Sequence, residues 1–142
     1  RRSVVAAARA ELVTPRGLRT LAPRDPDYIG HYEGGPEQRD RAYHQGTVWP
    51  WLSGFFVEAA LAATTRPAAE RRELLTWLNG MLGELDRAGL DHVSEVFDGD
   101  APQRPGGTFA QAWNTGELLR ALGMCMATGG GPRSRSRRGA RQ

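Results

Sequence analysis

The sequence predicts an all-α fold with long, ordered loops. Two observations carry this. Four stretches repeat apolar residues at the spacing of a helix face. Between them lie segments rich in glycine, proline and aromatic residues, in which strands are expected to be short at best, with Val93–Phe97 the candidate.

The first expected helix spans residues 3–13. Val4, Val5, Ala8 and Leu12 fall near one face, Ser3 is a plausible cap, and Pro15 ends it because the residue before proline avoids the helical region. Residues 14–46 hold four prolines, several glycines and Tyr28, Ile29, His31, Tyr32 and Tyr43. A loop this long in a compact domain is usually functional or disordered, and this one is too aromatic for ordinary disorder. The second helix is expected from Thr47 as cap to about Ala63, with Pro50 tolerated in its first turn. That would put His44, Gln45 and Gly46 just before a helix N-terminus, where N–H donors are free. The third runs from Pro67 to about Ala88, with Leu74, Leu78, Met81 and Leu85 as a core stripe and Gly89 as its stop. Its short link to the second helix suggests an antiparallel hairpin. A second loop, residues 89–107, contains the turn signal Asp98-Gly99. The last helix is expected from Thr108, with Gln111 completing a capping box, to Gly129, its apolar side formed by Trp113, Leu118, Leu119, Leu122 and Met126. Both loops enter helices at their N-termini, so they can converge at one end of the bundle.

Charge and composition exclude several classes. The formal charge is +3, and all nineteen basic residues are arginine. Five of them lie in the last fourteen positions, so residues 1–128 carry fourteen arginines against sixteen acids. The basicity belongs to a Gly/Ser/Arg-rich segment, 129–142, expected to be a disordered tail, while residues 1–128 form the domain. No specific nucleic-acid partner is expected. There is no apolar run of membrane-spanning length and no convincing signal peptide. Cys125 is the one cysteine, which excludes an internal disulfide and fits a cytoplasmic setting.

The stretch Tyr43-His44-Gln45-Gly46-Thr47-Val48-Trp49-Pro50-Trp51 concentrates rings that pair an apolar face with a polar tip. It suits the C–H faces and hydroxyl edges of sugars, and equally a helix entry packing its tryptophans in a core. Glu95, on an aromatic-flanked loop with Asp91, Asp98 and Asp100 as neighbours, is a possible general base. Asp98 and Asp100 are also ordinary turn residues. The spacing Asp91-x-x-x-Glu95 beside His92 fits no metal motif, so no metal or other cofactor is expected. A Ser94–His44–Asp40 triad can be drawn on paper, but nothing resembles a nucleophile elbow.

Three blocks then carry a resemblance: Thr14-Pro15-Arg16-Gly17-Leu18-Arg19-Thr20-Leu21, the stretch Arg39-Asp40-Arg41-Ala42 running on through Trp51, and Ser94-Glu95-Val96-Phe97-Asp98-Gly99-Asp100 continuing to Gln111-Ala112-Trp113. Their order and spacing resemble the C-terminal part of the amylo-α-1,6-glucosidase domain of glycogen debranching enzymes, especially the bacterial and archaeal type. The resemblance implies part of an (α/α)6 toroid and inverting hydrolysis of α-1,6-linked glucose at a glycogen or limit-dextrin branch. It implies Glu95 as general base, His44, Gln45, Trp49 and Trp51 as sugar contacts or pocket wall, and Asp98 as support. The general acid, about 6.5–9.5 Å away in an inverting mechanism, would come from earlier in the family's chain. Four expected helices are too few to close the ring. A fragment is therefore expected, inactive alone, with the missing N-terminal part of the domain as partner. Rival expectations are another toroidal glycosidase acting on trehalose or a different α-glucoside, a carbohydrate-binding or scaffolding remnant, and an Arg-tail polyanion binder.

Overall fold

Leu74, Leu78 and Met81 do fall on one helix face and are buried, and they meet Phe56, Val57 and Ala60 of the preceding helix and Leu118, Ala121 and Cys125 of the last one. The computed structural model describes residues 1–83, 85–86 and 90–127. Its elements in chain order are α1 (Arg2–Glu11), β1 (Val13–Thr14), β2 (Gly17–Arg19), α2 (Pro36–Ala42), β3 (Val48–Trp49), α3 (Leu52–Ala63), α4 (Pro67–Leu82), β4 (Val96–Phe97), β5 (Pro105–Gly106) and α5 (Ala112–Met126). The core sits where α3, α4 and α5 pack together, and α3 lies chiefly on α5.

The fold is not purely helical. Five short strands form one antiparallel sheet in the order β1-β2-β3-β4-β5. Its register sets Leu18 opposite Trp49, Val48 opposite Phe97 and Val96 opposite Gly106. The sheet contributes Leu18, Val48 and Phe97 to the core, so it closes one end of the helical layer. β4 falls within the expected Val93–Phe97, while the other strands, two or three residues long, are too short to display a two-residue alternation and leave no trace in the sequence. A further helix, α2, occupies part of the first aperiodic loop. Pro36 stands in its first turn, and only Ala42 of its seven residues is buried, so it has no apolar stripe to read.

The helix boundaries also move. α1 begins at Arg2, placing Ser3 inside it rather than at the cap. Thr47 does not cap a helix: its hydroxyl donates to the Ala42 carbonyl at 2.6 Å, and α3 begins at Leu52. His44, Gln45 and Gly46 therefore enter a strand, and the expected helix dipole is absent there. α4 ends at Leu82; the expected stop at Gly89 and the extension to Ala88 lie outside the described residues. α5 starts at Ala112 with Gln111 before it, so the proposed Thr108 cap is overturned; the Thr108 amide donates elsewhere. Trp113, Leu119 and Met126, expected on an apolar inner side, are 52%, 65% and 69% exposed, and Phe55 of α3 is 55% exposed. The tail from Gly129, and that residue's role as a stop, lie outside the described residues.

The two long loops do meet. Asp100 N–H donates to the Gly30 carbonyl at 3.0 Å, and Arg19 reaches across to the Gly99 carbonyl at 2.9 Å. Within the first loop, Ile29 N–H donates to the Gln45 carbonyl at 2.6 Å and Thr20 accepts the Gly46 amide at 3.0 Å. There the chain passes itself closely enough to require glycine. Gly46 has φ +134°, and a Cβ there would stand 2.5 Å from the Ile29 carbonyl oxygen. That atom is backbone and cannot swing aside. Gly116 is the opposite case, with open space around a Cβ in the middle of α5. Gly46→Ala is expected to destabilise the chain by about 1–3 kcal/mol, while Gly116→Ala stabilises it by about 0.5–1 kcal/mol. Denaturant unfolding of the two variants checks both signs.

Candidate functional site

Glu95 stands immediately before β4 and is half-buried. Three elements position it. Its own N–H donates to the Thr108 carbonyl at 2.8 Å, extending the β4–β5 ladder. Its carbonyl accepts from the side-chain amide of Asn114 on α5 at 2.9 Å, and the same nitrogen donates to the Ser94 carbonyl at 2.6 Å. The Asn114 carbonyl oxygen accepts the Trp51 N–H at 3.1 Å, at the entry to α3. One fully buried amide thus ties the glutamate's backbone to the tryptophan turn.

The carboxylate is held from two sides. The Tyr43 hydroxyl donates to Oε1. Thr108 donates its N–H to Oε2 at 2.9 Å and its hydroxyl at 3.4 Å. Gly107 lets the chain turn tightly here: it has φ +68°, and a Cβ on it would stand 2.4 Å from Oε2. A carboxylate offers about four acceptor positions. Among the described residues, three are used, two of them on Oε2, so Oε1 keeps room for one further donor. Burial, and then the bond to Glu95, push the Tyr43 phenol well above its ordinary range. It therefore stays neutral and keeps donating. An ionised carboxylate with fixed donors and one open position can take a proton from a bound water.

An aromatic tract runs outward from that bond. Tyr43 packs against Trp49 at 4.6 Å between ring centroids and against His44 at 4.9 Å. Trp49 meets Trp113 at 6.1 Å, and Trp113 meets Trp51 at 5.9 Å, which in turn meets Phe55 at 5.6 Å. The tract changes from buried to open along its length. Trp49 is 4% exposed and spends its indole N–H on the Tyr43 carbonyl at 2.9 Å, so it is wall rather than contact. Trp51 is half-buried, and Trp113 presents its ring to solvent.

The remaining expected site residues divide. His44 is exposed, with its ring stacked on Trp49 at 5.6 Å. Gln45 is exposed and lines a polar cleft of about 590 Å³ with His44, Tyr28, Asp27 and Asp40. Asp98 is three residues from Glu95, and a strand's two-residue period turns it to the other face. It is buried, accepting from the Tyr32 N–H at 2.8 Å and from Arg104 at 2.9 Å, with His31 Nδ1 at 3.4 Å. It joins the first long loop, through His31 and Tyr32, to Arg104 of the second. Asp100 accepts from the Tyr28 hydroxyl at 2.9 Å, and that phenol too is raised, first by burial and then by this bond. Ser94 is buried, and no triad with His44 and Asp40 forms among the described residues.

Sequence reasoning missed Tyr43, Thr108 and Asn114 as site residues. For Asn114 a signal existed. It lies at i of the stripe Asn114, Leu118, Ala121 and Cys125, all buried, and a polar residue on a core stripe needs partners. Tyr43 opens the aromatic stretch, but nothing local marks its bond to Glu95 or that of Thr108, because the bond joins residues distant in sequence.

The architecture is a helical layer joined by a small antiparallel sheet, with one carboxylate fixed by Tyr43 and Thr108 and an aromatic tract that opens toward solvent at Trp113. Residues 1–120 match the model of the amylo-alpha-1,6-glucosidase family, and the chain belongs to that family. It is also similar to the glycogen debranching enzyme of Saccharomyces cerevisiae, 43% identical over 51 residues. That similarity covers 32% of this chain and 3% of the length of the yeast protein. Among the described residues no helix is long and apolar enough to cross a membrane.

Asn114→Ala removes the partner of the Trp51 amide and of the Ser94 and Glu95 carbonyls. It is expected to lower unfolding stability by about 2–4 kcal/mol, read by chemical denaturation, with a change in tryptophan fluorescence that reports the loosened Trp51–Trp113 contact.

Proposed function

We propose that this chain carries the general-base side of an inverting glycoside hydrolase that releases α-1,6-linked glucose at glycogen branch points. The observation that carries the reading is the Glu95 carboxylate, held by Tyr43 and Thr108 with one acceptor position open, where Tyr43 begins an aromatic tract that runs through Trp49 to the exposed Trp113. Membership of the amylo-alpha-1,6-glucosidase family supports the reaction class, and the similarity to a glycogen debranching enzyme supports the substrate.

A water seated on Oε1 of Glu95 gives up its proton to the carboxylate as its oxygen attacks the anomeric carbon. The bond to the departing glucan oxygen breaks, and that oxygen takes a proton from a separate carboxylic acid on the opposite face. Tyr43 and Thr108 fix the carboxylate's angle, so little reorientation is needed at the moment of attack. Trp51 and Trp113 offer apolar faces to the sugar ring and Trp49 backs them, while His44 and Gln45 line the neighbouring polar cleft.

The acid is a different matter. Asp98 is spent on Arg104, Tyr32 and His31, and Asp100 accepts from Tyr28. Both are engaged within the loops. The reading therefore includes an (α/α)6 ring to which residues 1–128 contribute the base and one wall, with the acid on another part of that ring. The chain by itself then binds branched saccharide and does not cleave it.

Incubating the 142-residue chain with β-limit dextrin is expected to release no glucose, while calorimetry with isomaltose detects binding that weakens in Trp113→Ala. Glucose release lost in Glu95→Gln would place the acid in this chain and overturn the division of labour. Release from trehalose would change the substrate, and absence of isomaltose binding would overturn the saccharide reading.

A further inference from the structure

α5 carries two stripes at the same spacing, and the fold buries one of them. Asn114, Leu118, Ala121 and Cys125 are buried, and the last three join the core with α3 and α4. The exposed residues of the helix are Ala112, Trp113, Gly116, Leu119, Gly123 and Met126. None is charged, and the indole N–H of Trp113 is the one polar side-chain group among them. A helix face turned to water ordinarily carries charged and polar side chains. The charged residues of α5, Glu117 and Arg120, are instead half-buried at its flank. Arg120 reaches Glu117 and Glu58 at 2.8 Å each and lies over the Phe55 ring at 5.2 Å.

The exposed stripe matches itself. Ala112, Gly116, Leu119, Gly123 and Met126 step alternately by four and three residues, the heptad spacing of a helix that packs along another helix. Reversed about Leu119, the same order of small and large positions returns. In an antiparallel pairing of two α5 helices, Ala112 falls opposite Met126, Gly116 opposite Gly123, and Leu119 opposite its own copy. A Cβ at Gly116 or Gly123 would meet nothing within 4 Å, so each glycine leaves a notch in the helix surface. Paired notches let two helix axes approach to about 8 Å, the close end of helix packing. The charges allow it, because Arg120 already holds two carboxylates of its own copy and no unpaired charge is brought in. The area fits a weak dimer. Trp113, Leu119, Met126 and the neighbouring Phe55 are each more than half exposed. They leave roughly 500 Å² of apolar surface on one copy, so a pair covers about 1,000 Å², the lower edge of a specific interface.

We infer that a second copy of this chain covers this face, α5 against α5, antiparallel about a two-fold axis at Leu119. A two-fold contact uses the same patch on both copies, and the reversed match of the stripe supplies that patch. An unrelated partner would require no such match. The pairing sets Met126 of the second copy beside Ala112, so each copy borders the tryptophan surface of the other. The inference goes beyond the glycosidase reading and does not rest on it, since no part of it involves Glu95.

The test is sedimentation equilibrium of the 142-residue chain. A monomer–dimer equilibrium is expected, with a Kd of about 10–100 µM for an interface of this size. Leu119→Glu brings two carboxylates together at the axis and is expected to weaken association at least about tenfold. Its far-ultraviolet circular dichroism stays unchanged, because Leu119 is exposed. Leu119→Cys treated with a short bismaleimide is expected to give linked dimers, and Val4→Cys, equally exposed but on α1, to give none. Cys125 is buried and stays out of the reaction. A chain that remains monomeric up to about 500 µM overturns the inference, whatever else then covers the stripe. So does a dimer that tolerates Leu119→Glu, or one that links through Val4→Cys and not through Leu119→Cys, because its contact lies elsewhere. Failure of isomaltose to bind removes the glycosidase reading and leaves the dimer standing.

Discussion

The side-chain amide of Asn114 joins three backbone segments that are distant in sequence, and the placement of the carboxylate depends on it. The nitrogen holds the carbonyls of Ser94 and Glu95, and the oxygen holds the amide of Trp51. Asn114 is fully buried, so each of these bonds is made away from water, where leaving one unmade costs most. α5 can carry such a residue because Leu118, Ala121 and Cys125 continue the same face into the core and anchor the helix on α3 and α4. The apolar layer thus supplies rigidity, and a single polar residue on its edge converts that rigidity into the position of Glu95. Tyr43 and Thr108 then orient the carboxylate itself.

Much of the helical layer is legible in the sequence, because α3, α4 and α5 are long enough for their apolar spacing to recur. Leu74, Leu78 and Met81 are read as core and are core. What is hidden has a common cause. Each strand of the sheet is two or three residues long, and α2 buries a single alanine, so neither leaves a periodic trace. Thr47 and Thr108 resemble caps by type and spacing, yet tertiary partners claim them: the Ala42 carbonyl in one case and Glu95 in the other. Local propensity is outbid by a contact that the local sequence cannot show. Trp113 fails in the opposite direction. It sits at helical spacing with apolar neighbours, but its ring is over half exposed and lies with Trp51 on an open surface.

The site is legible in composition rather than in geometry. Residue type leaves the Tyr43–Trp51 stretch open between a surface for sugars and a packed helix entry, and it marks Glu95 as a carboxylate worth weighing. It does not separate the functions within the stretch. Trp49 is buried backing, Trp51 and Trp113 form the open face, and His44 and Gln45 turn toward a different cleft. Nor does it separate Glu95 from Asp98, three residues on. Pairing between β4 and β5 does so, setting one acid toward Thr108 and the other toward Arg104.

The central claim is that Glu95 presents an open acceptor position to a sugar-bound water while Tyr43 and Thr108 hold it still. A crystal structure of the chain soaked with isomaltose tests this most directly. The account predicts a glucosyl ring against Trp113 and Trp51, with a water between Oε1 of Glu95 and the anomeric carbon and the bonds from Tyr43 and Thr108 intact. A glucosyl ring bound with its anomeric carbon turned away from Glu95, or a Glu95 carboxylate released from both donors on binding, would contradict it.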